Sequence, residues 1–478
     1  MGKYIGSIIA GLSALLIAMP TGAEAGDNGT PQERKDILTE VALEHGVPPE
    51  IVKAIAYKET GMRQFDSNGE TIMNENDDGG IGMMQVTLDQ SEMDNYDMER
   101  LKTDIRYNVE VGVEILLDKW SYQNHGLTPK IGEGDPRYLE SWYFAILAYN
   151  GLSRLNDPQV VERTYQDDVY NYINSSRYGV STNHLRAFAV EYSEGSTTMR
   201  FPPEARQIDA PKQVFTESTQ MLEAGDRAYT KTDASLRGDP STTNPRTGVV
   251  PAFTPVEIVS GPYHDNSIEN HFVFYEIKSV GGQYEGYLAS STITPGEISV
   301  FTDRGTDPER IEAIAKLEAR GTTNGYPDGS FGVNRNLQRQ HAAVFLVREL
   351  DLTLPPGYEA KSKDIPHHSM LIAEAHEIFT PNAEGSIRPN DSLTRAQMAV
   401  VLNRVFNDLL EKPTTSHRFS DVNEDFWAYD EINTLYANGL TNQNTYRPNE
   451  PVSRGQFALF LNRIEGMLIE QWRNQEEK

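Results

Sequence analysis

Cysteine is absent from all 478 residues, which excludes disulfide scaffolds, thiolate ligation of zinc or iron–sulfur clusters, and thiol nucleophiles. Basic residues are outnumbered: 43 Lys and Arg face 70 Asp and Glu, a formal charge of −27. A field of that sign gathers neither nucleic acid nor anionic lipid, so neither is expected as a partner. Long apolar runs are missing beyond Met19. Before it, Lys3 precedes an apolar run from Ile5, and Pro20 and Ala23-Glu24-Ala25 follow. A basic start, a short apolar stretch and a small-x-small site form the layout of a secretory signal peptide over 1–25. The run falls short of the roughly 20 residues that a span requires. An exported protein, with no membrane partner after cleavage, is the expectation. What remains has ordinary globular composition, long enough for about three domains.

Residues 31–194 read as helical. Ile37, Val41 and Ala42, then Ile51, Ile55 and Ala56 after Pro48-Pro49, then Val109, Val113, Leu116, Leu117 and Trp120 recur at helical spacing. Residues 195–223, with Pro202, Pro203 and Pro211, read as a linker. Residues 224–296 turn to β-rich pieces, such as Val256 to Val259 and Phe272 to Ile277, punctuated by glycine. The remainder repeats: Arg339, Arg395 and Arg454 stand 56 and 59 residues apart, each opening an apolar helix. Three units, 303–358, 359–412 and 413–472, form a modular array. Residues 300–478 hold 19 basic and 26 acidic side chains, a net of −7, so most of the acidity lies upstream.

Four blocks carry chemistry in the helical part: Ala54 to Gly61 with Glu59 at a helix end, Gly79-Gly80-Ile81-Gly82-Met83-Met84-Gln85, Asn108 with Gly112, and Ala145 to Gly151 with Tyr149-Asn150. In this order they resemble the soluble lytic transglycosylase domain, a relative of goose-type lysozyme, over about residues 33–177. Thr60 and Met83 stand where that family has serine and leucine. The resemblance implies an all-α lysozyme-like catalytic domain acting on peptidoglycan glycan strands. In it Glu59 is the general acid, and Gln85, Tyr149, Asn150 and Met84 contact substrate. It further implies that the MurNAc–GlcNAc bond is cleaved by one carboxylate with 1,6-anhydro-sugar formation, unlike paired-acid glycosidases. A general acid needs a pKa near the working pH, which burial beside apolar groups can supply. Packing is the competing role for Met83 and Met84, and loop orientation the competing role for Asn150. Asn108 and Gly112 read as structural, an amide fixing a loop and a small residue allowing close approach.

Ser235-Leu236-Arg237-Gly238-Asp239-Pro240 and Gly286-Tyr287-Leu288 make 224–296 resemble a bacterial SH3-like barrel, either wall-binding or a spacer. The repeats resemble S-layer homology repeats, a mostly helical three-repeat module whose grooves bind secondary cell-wall polysaccharide, often carrying pyruvyl ketals. Arg339, Arg395 and Arg454 match that family's helix-starting arginine. A guanidinium there sits unfavourably on the helix dipole but suits a carboxylate ligand. An intramolecular salt bridge to aspartate is the alternative. Trp427, in Phe426-Trp427-Ala428, reads as core or as a groove contact. Neither cofactor nor metal is expected: the acids from Asp66 to Asp78 fit no EF-hand spacing, and His367, His368 and His376 read as surface residues.

The reading that results is an exported lytic transglycosylase anchored in the wall of a Gram-positive-type bacterium. The alternatives are a muramidase that borrows a second carboxylate from Asp66–Asp78, and a non-catalytic wall-binding protein associated with the S-layer.

Overall fold

The computed structural model describes residues 26–74, 79–185 and 187–474; the expected signal peptide lies outside them. Six helices form the first body: α1 (Pro31–Glu44), α2 (Pro49–Thr60), α3 (Met98–Thr103), α4 (Ile105–Ser121), α5 (Tyr143–Asn150) and α6 (Tyr165–Ile173). Local chemistry fixes their ends. Thr30 and Thr164 close capping boxes with Glu33 and Asp167. Pro49 opens α2, and Gly61, in the left-handed region at φ +66°, ends it. The core gathers Leu38, Ile51, Ile55, Val109, Leu116, Trp142 and Tyr170.

The stretch 195–223 is not a free linker. Within it β2 (Gln207–Ile208) pairs in parallel with β1 (Lys130–Ile131), and Val214 and Gln220 are fully buried. The backbone N–H and hydroxyl of Thr216 donate to the buried Glu140 carboxylate at 2.6 and 2.8 Å. Ser218 and Thr219 bond Glu50 of α2. Prolines and the lack of periodicity disguise a strap whose polar groups satisfy carboxylates of the helical body.

Seven strands follow: β3 (Arg227–Thr230), β4 (Ala234–Arg237), β5 (Arg246–Val250), β6 (Pro255–Tyr263), β7 (Phe274–Ser279), β8 (Glu285–Ala289) and β9 (Ile293–Pro295). They form an antiparallel sheet in the order β5-β4-β8-β7-β6-β3-β9, curled over Ala228, Val256, Ile277 and Leu288. Among the described strands no ladder joins β5 to β9, so the expected barrel is an open, curled sheet.

The loop from β6 to β7 packs on the helical body through a buried polar joint, in which His271 is 1% exposed. Its ring lies 5.0 Å from those of Tyr57 and Tyr178. Burial, then the nearby cations Lys53, Lys35 and Arg177, lowers its pKa to about 3. A histidine held neutral in the fold loses stabilisation as pH falls from its unfolded pKa toward the folded one, here from about 6.5 to 3. His271→Phe keeps a ring in this nest and should flatten the fall in melting temperature across that window, measured by calorimetry at stepped pH.

Each repeat contributes two helices: α7 (Pro308–Ala319) with α8 (Arg339–Glu349), α9 (His368–Ala375) with α10 (Arg395–Val405), and α11 (Tyr429–Ala437) with α12 (Arg454–Arg473). The three close into a ring. Leu393 N–H donates to Leu337 O, Leu337 N–H to Val452 O, and Val452 N–H to Leu393 O, at 2.8 to 2.9 Å. Asp303, Asp364 and Asp421 each accept backbone N–H groups from their own repeat's turn, at Phe331, Ile387 and Tyr446. The last helix, α12, runs into the first body: Trp472 is buried in its core, with its indole N–H 2.6 Å from Asn183 O. No helix among the described residues is long and apolar enough to cross a membrane.

Candidate functional site

Helix α2 buries its apolar face and ends at Thr60, which leaves Glu59 half-buried in its last turn. The Thr60 hydroxyl donates to Met83 O at 3.0 Å, tying this turn to the glycine-rich loop, so threonine does here what a serine hydroxyl could. Two buried amides pin that loop. Gln64 accepts from Met83 N–H at 2.8 Å, and Asn108 accepts from Met84 N–H at 2.9 Å while donating to Ile81 O. Gly82, at φ +69°, lies so close that a Cβ would overlap both amides. A Cβ on Gly112 would sit 2.7 Å from that of Met84.

The Tyr165 hydroxyl, at the start of α6, donates directly to Glu59 Oε1. Burial first, then the Glu59 charge, pushes this phenol well above its usual range. The same causes raise Tyr149, whose hydroxyl donates to Met84 O at 2.8 Å. Both phenols therefore remain proton donors. The Glu59 carboxylate thus acts on both phenols. Lys58 and Arg163 both pair with Asp168, which fastens the end of α2 to α6.

The expected contacts divide. Gln85 is half-buried at φ +47°, its amide donating to Gly82 O at 2.8 Å. Asn150 is exposed and accepts from Asn156 at 3.0 Å. Met84 is 0% exposed and its side chain packs against Gly112 of α4, the competing packing role. Tyr165 and Gln64 were not singled out from sequence. The capping box of Thr164 with Asp167 was a readable signal that a helix begins at Tyr165. Tyr165→Phe removes one hydrogen bond to a charged group. On the role that the resemblance implies for Glu59, the substitution should lower kcat about tenfold or more with little change in KM, as read from initial rates of glycan release.

In the repeats each arginine opens its helix by reaching across to the next repeat. The Nε–H of Arg339, Arg395 and Arg454 donates to Ile387 O, Tyr446 O and Phe331 O at 2.9, 2.6 and 2.9 Å. Each guanidinium lies over a ring, Phe379, Tyr446 and Phe331 respectively, at 4.8 Å. Inter-repeat carbonyls and aromatic faces thus take the place of the aspartate salt bridge considered from sequence. Arg454 is 6% exposed, further bonded to Thr323 Oγ1 at 3.1 Å and covered by Tyr326 and Phe345; it is a staple, sealed from ligand. Arg339 instead lines an open groove of about 400 Å³ with Arg388, Arg404 and Trp427. Burial, then Arg388 and Arg404 beside it, lowers its pKa. Trp427 is 60% exposed: a groove-wall residue, not a core one.

A small helical body with Glu59 in the last turn of α2 is thus joined, through the curled sheet, to a ring of three two-helix units. The family model for the transglycosylase SLT domain matches residues 36–171, and that for the S-layer homology domain matches 300–343, 363–399 and 418–458. The chain therefore carries a transglycosylase SLT domain and three S-layer homology repeats. Among curated proteins it is similar to Cell surface glycoprotein 1 of Acetivibrio thermocellus, 25% identical over 33% of this chain and 8% of that protein. It is also similar to an S-layer protein of Bacillus licheniformis, 27% identical over 38% of this chain and 22% of that protein. A Cellulosome-anchoring protein of Acetivibrio thermocellus is 27% identical over 29% of this chain and 34% of its own length. The chain thus spans between 8% and 34% of the length of these relatives.

Proposed function

We propose that this protein is a cell-wall-anchored lytic transglycosylase. The observation that carries this reading is the pair Glu59–Tyr165: one half-buried carboxyl at a helix end, held by a phenol that stays protonated. Glu59 delivers a proton to the oxygen linking MurNAc to GlcNAc as the bond from C1 to that oxygen breaks. The carboxylate then takes the proton of the muramic 6-hydroxyl as O6 closes on C1. Protons balance, no water is consumed, and the product ends in a 1,6-anhydro ring.

The muramidase alternative needs a second acid. Asp66 is turned into its own loop, accepting from Asn68 and Glu70 N–H at 2.8 and 2.9 Å; Glu75, Asp77 and Asp78 lie outside the described residues. Digestion of purified peptidoglycan by the full chain, followed by mass spectrometry, separates the readings. Anhydro ends support transglycosylation, reducing ends support hydrolysis, and intact strands favour a wall-binding role. For the repeats we propose that the Arg339 groove takes an anionic, carboxylate-bearing wall polysaccharide, with pyruvyl ketals as the fitting chemistry.

A further inference from the structure

Helix α2 carries two fully buried ionisable groups besides its Glu59 end. Glu50 and Lys53 are both 0% exposed, and a buried polar head is costly unless every donor and acceptor finds a partner. The Lys53 amine, which burial pushes well below the usual lysine range, has three polar partners. They are Gln220 Oε1, His271 O at 2.8 Å and His264 Nε2 at 3.0 Å. All three lie outside the residues matched by the transglycosylase model. The Nδ1 of His264 lies 2.8 Å from Asp36 Oδ1, which places the imidazole proton there and leaves Nε2 to accept from Lys53.

The loop bearing these histidines is itself fixed. The carbonyls of Asp265, Ser267 and Asn270 surround Lys35 Nζ of α1 at 2.7 to 2.8 Å. Its far end bonds the segment after α6, with His271 and Phe272 N–H donating to Arg177 O at 2.9 and 3.0 Å. The His271 ring meets Tyr57, two residues before Glu59, and Tyr57 meets Tyr172 of α6 at 4.9 Å. The loop thus grips both helices that bring Glu59 and Tyr165 together. Six residues of helix, about 9 Å, separate Lys53 from Glu59, so a tilt at the gripped end displaces the acid.

Resting on the reading of Glu59 as the acid, we propose that the β6–β7 loop of the sheet domain is a clamp on the catalytic helix, with Lys53 and His264 as a positioning pair. The sheet domain is then part of the catalytic unit and not an independent wall-binding module.

The test uses the full chain with His264→Leu, which removes the acceptor, and His264→Gln, which offers an amide oxygen in its place. His264→Leu should speed amide exchange in the last turn of α2 and lower kcat about tenfold with KM held within about twofold, the cost of a misplaced catalytic group. His264→Gln should restore most of both. Native exchange and native kcat in His264→Leu, or equal losses in the two variants, would overturn the clamp. Should His264→Leu not fold, Lys53→Met carries the same expectation, and native behaviour there overturns it equally. A full chain that releases no glycan fragments sinks the enzymatic reading instead, and amide exchange alone then decides the clamp.

Discussion

Glu59→Gln should abolish release of glycan fragments from peptidoglycan while leaving the melting temperature of the protein unchanged. The amide keeps the shape of the carboxyl and can still accept from Tyr165, so the helix end has no cause to move. It can neither deliver a proton to the glycosidic oxygen nor take one from the 6-hydroxyl. Loss of a positioned general acid and base costs about 10²- to 10⁴-fold. With a single acid serving both half-reactions, the loss belongs at the upper end. Turnover of Glu59→Gln within tenfold of the parent would place the acid elsewhere.

The second large effect concerns the repeats, where arginines at matching positions should behave oppositely. Arg339→Ala should weaken binding to purified wall polysaccharide by about ten- to a hundredfold, the usual cost of losing a charge-assisted contact. Arg454→Met should leave that binding in place but lower stability by about 2 kcal/mol, since it removes a buried inter-repeat hydrogen bond and its ring contacts. The cause is the surroundings. Arg339 shares an open groove with two further guanidiniums and an exposed indole, whereas Tyr326, Phe331 and Phe345 close over Arg454. Calorimetry with the isolated polymer, beside thermal melts of each variant, measures both.

Where sequence was informative, it was because local rules and period carried the signal. The helix ending at Glu59-Thr60-Gly61 follows from Pro49 and a left-handed glycine, and the three repeats follow from spacing alone. Asn108 and Gly112 were legible as loop fixer and close-approach residue, and the structure shows both roles. What stayed hidden depends on contacts between distant segments. Tyr165 reaches Glu59 across 106 residues, and no local pattern announces that. Residues 195–223 look unstructured because their order comes from carboxylates elsewhere, at Glu50 and Glu140. The aspartates at 303, 364 and 421 recur with the arginines and were there to be read. Met84 and Trp427 show the opposite limit, since residue type alone does not say which side chain a neighbour covers.

The docking of α12 has a mechanical consequence. Trp472 lies in the core of the helical body, and Arg473 bonds Asn183 beside it at 2.8 Å, while the same helix begins as the third arginine staple of the ring. A single rod of 20 residues thus ends in both halves of the molecule. A wall-held enzyme on a flexible leash searches a sphere whose radius its linker sets. On the proposed function, this rod in place of a leash would let the polymer held by the repeats dictate both the distance and the direction at which Glu59 meets a glycan strand. Cutting would then be confined to strands lying at one fixed offset from each anchoring chain, and the pattern of anchors on the wall would become the pattern of cuts.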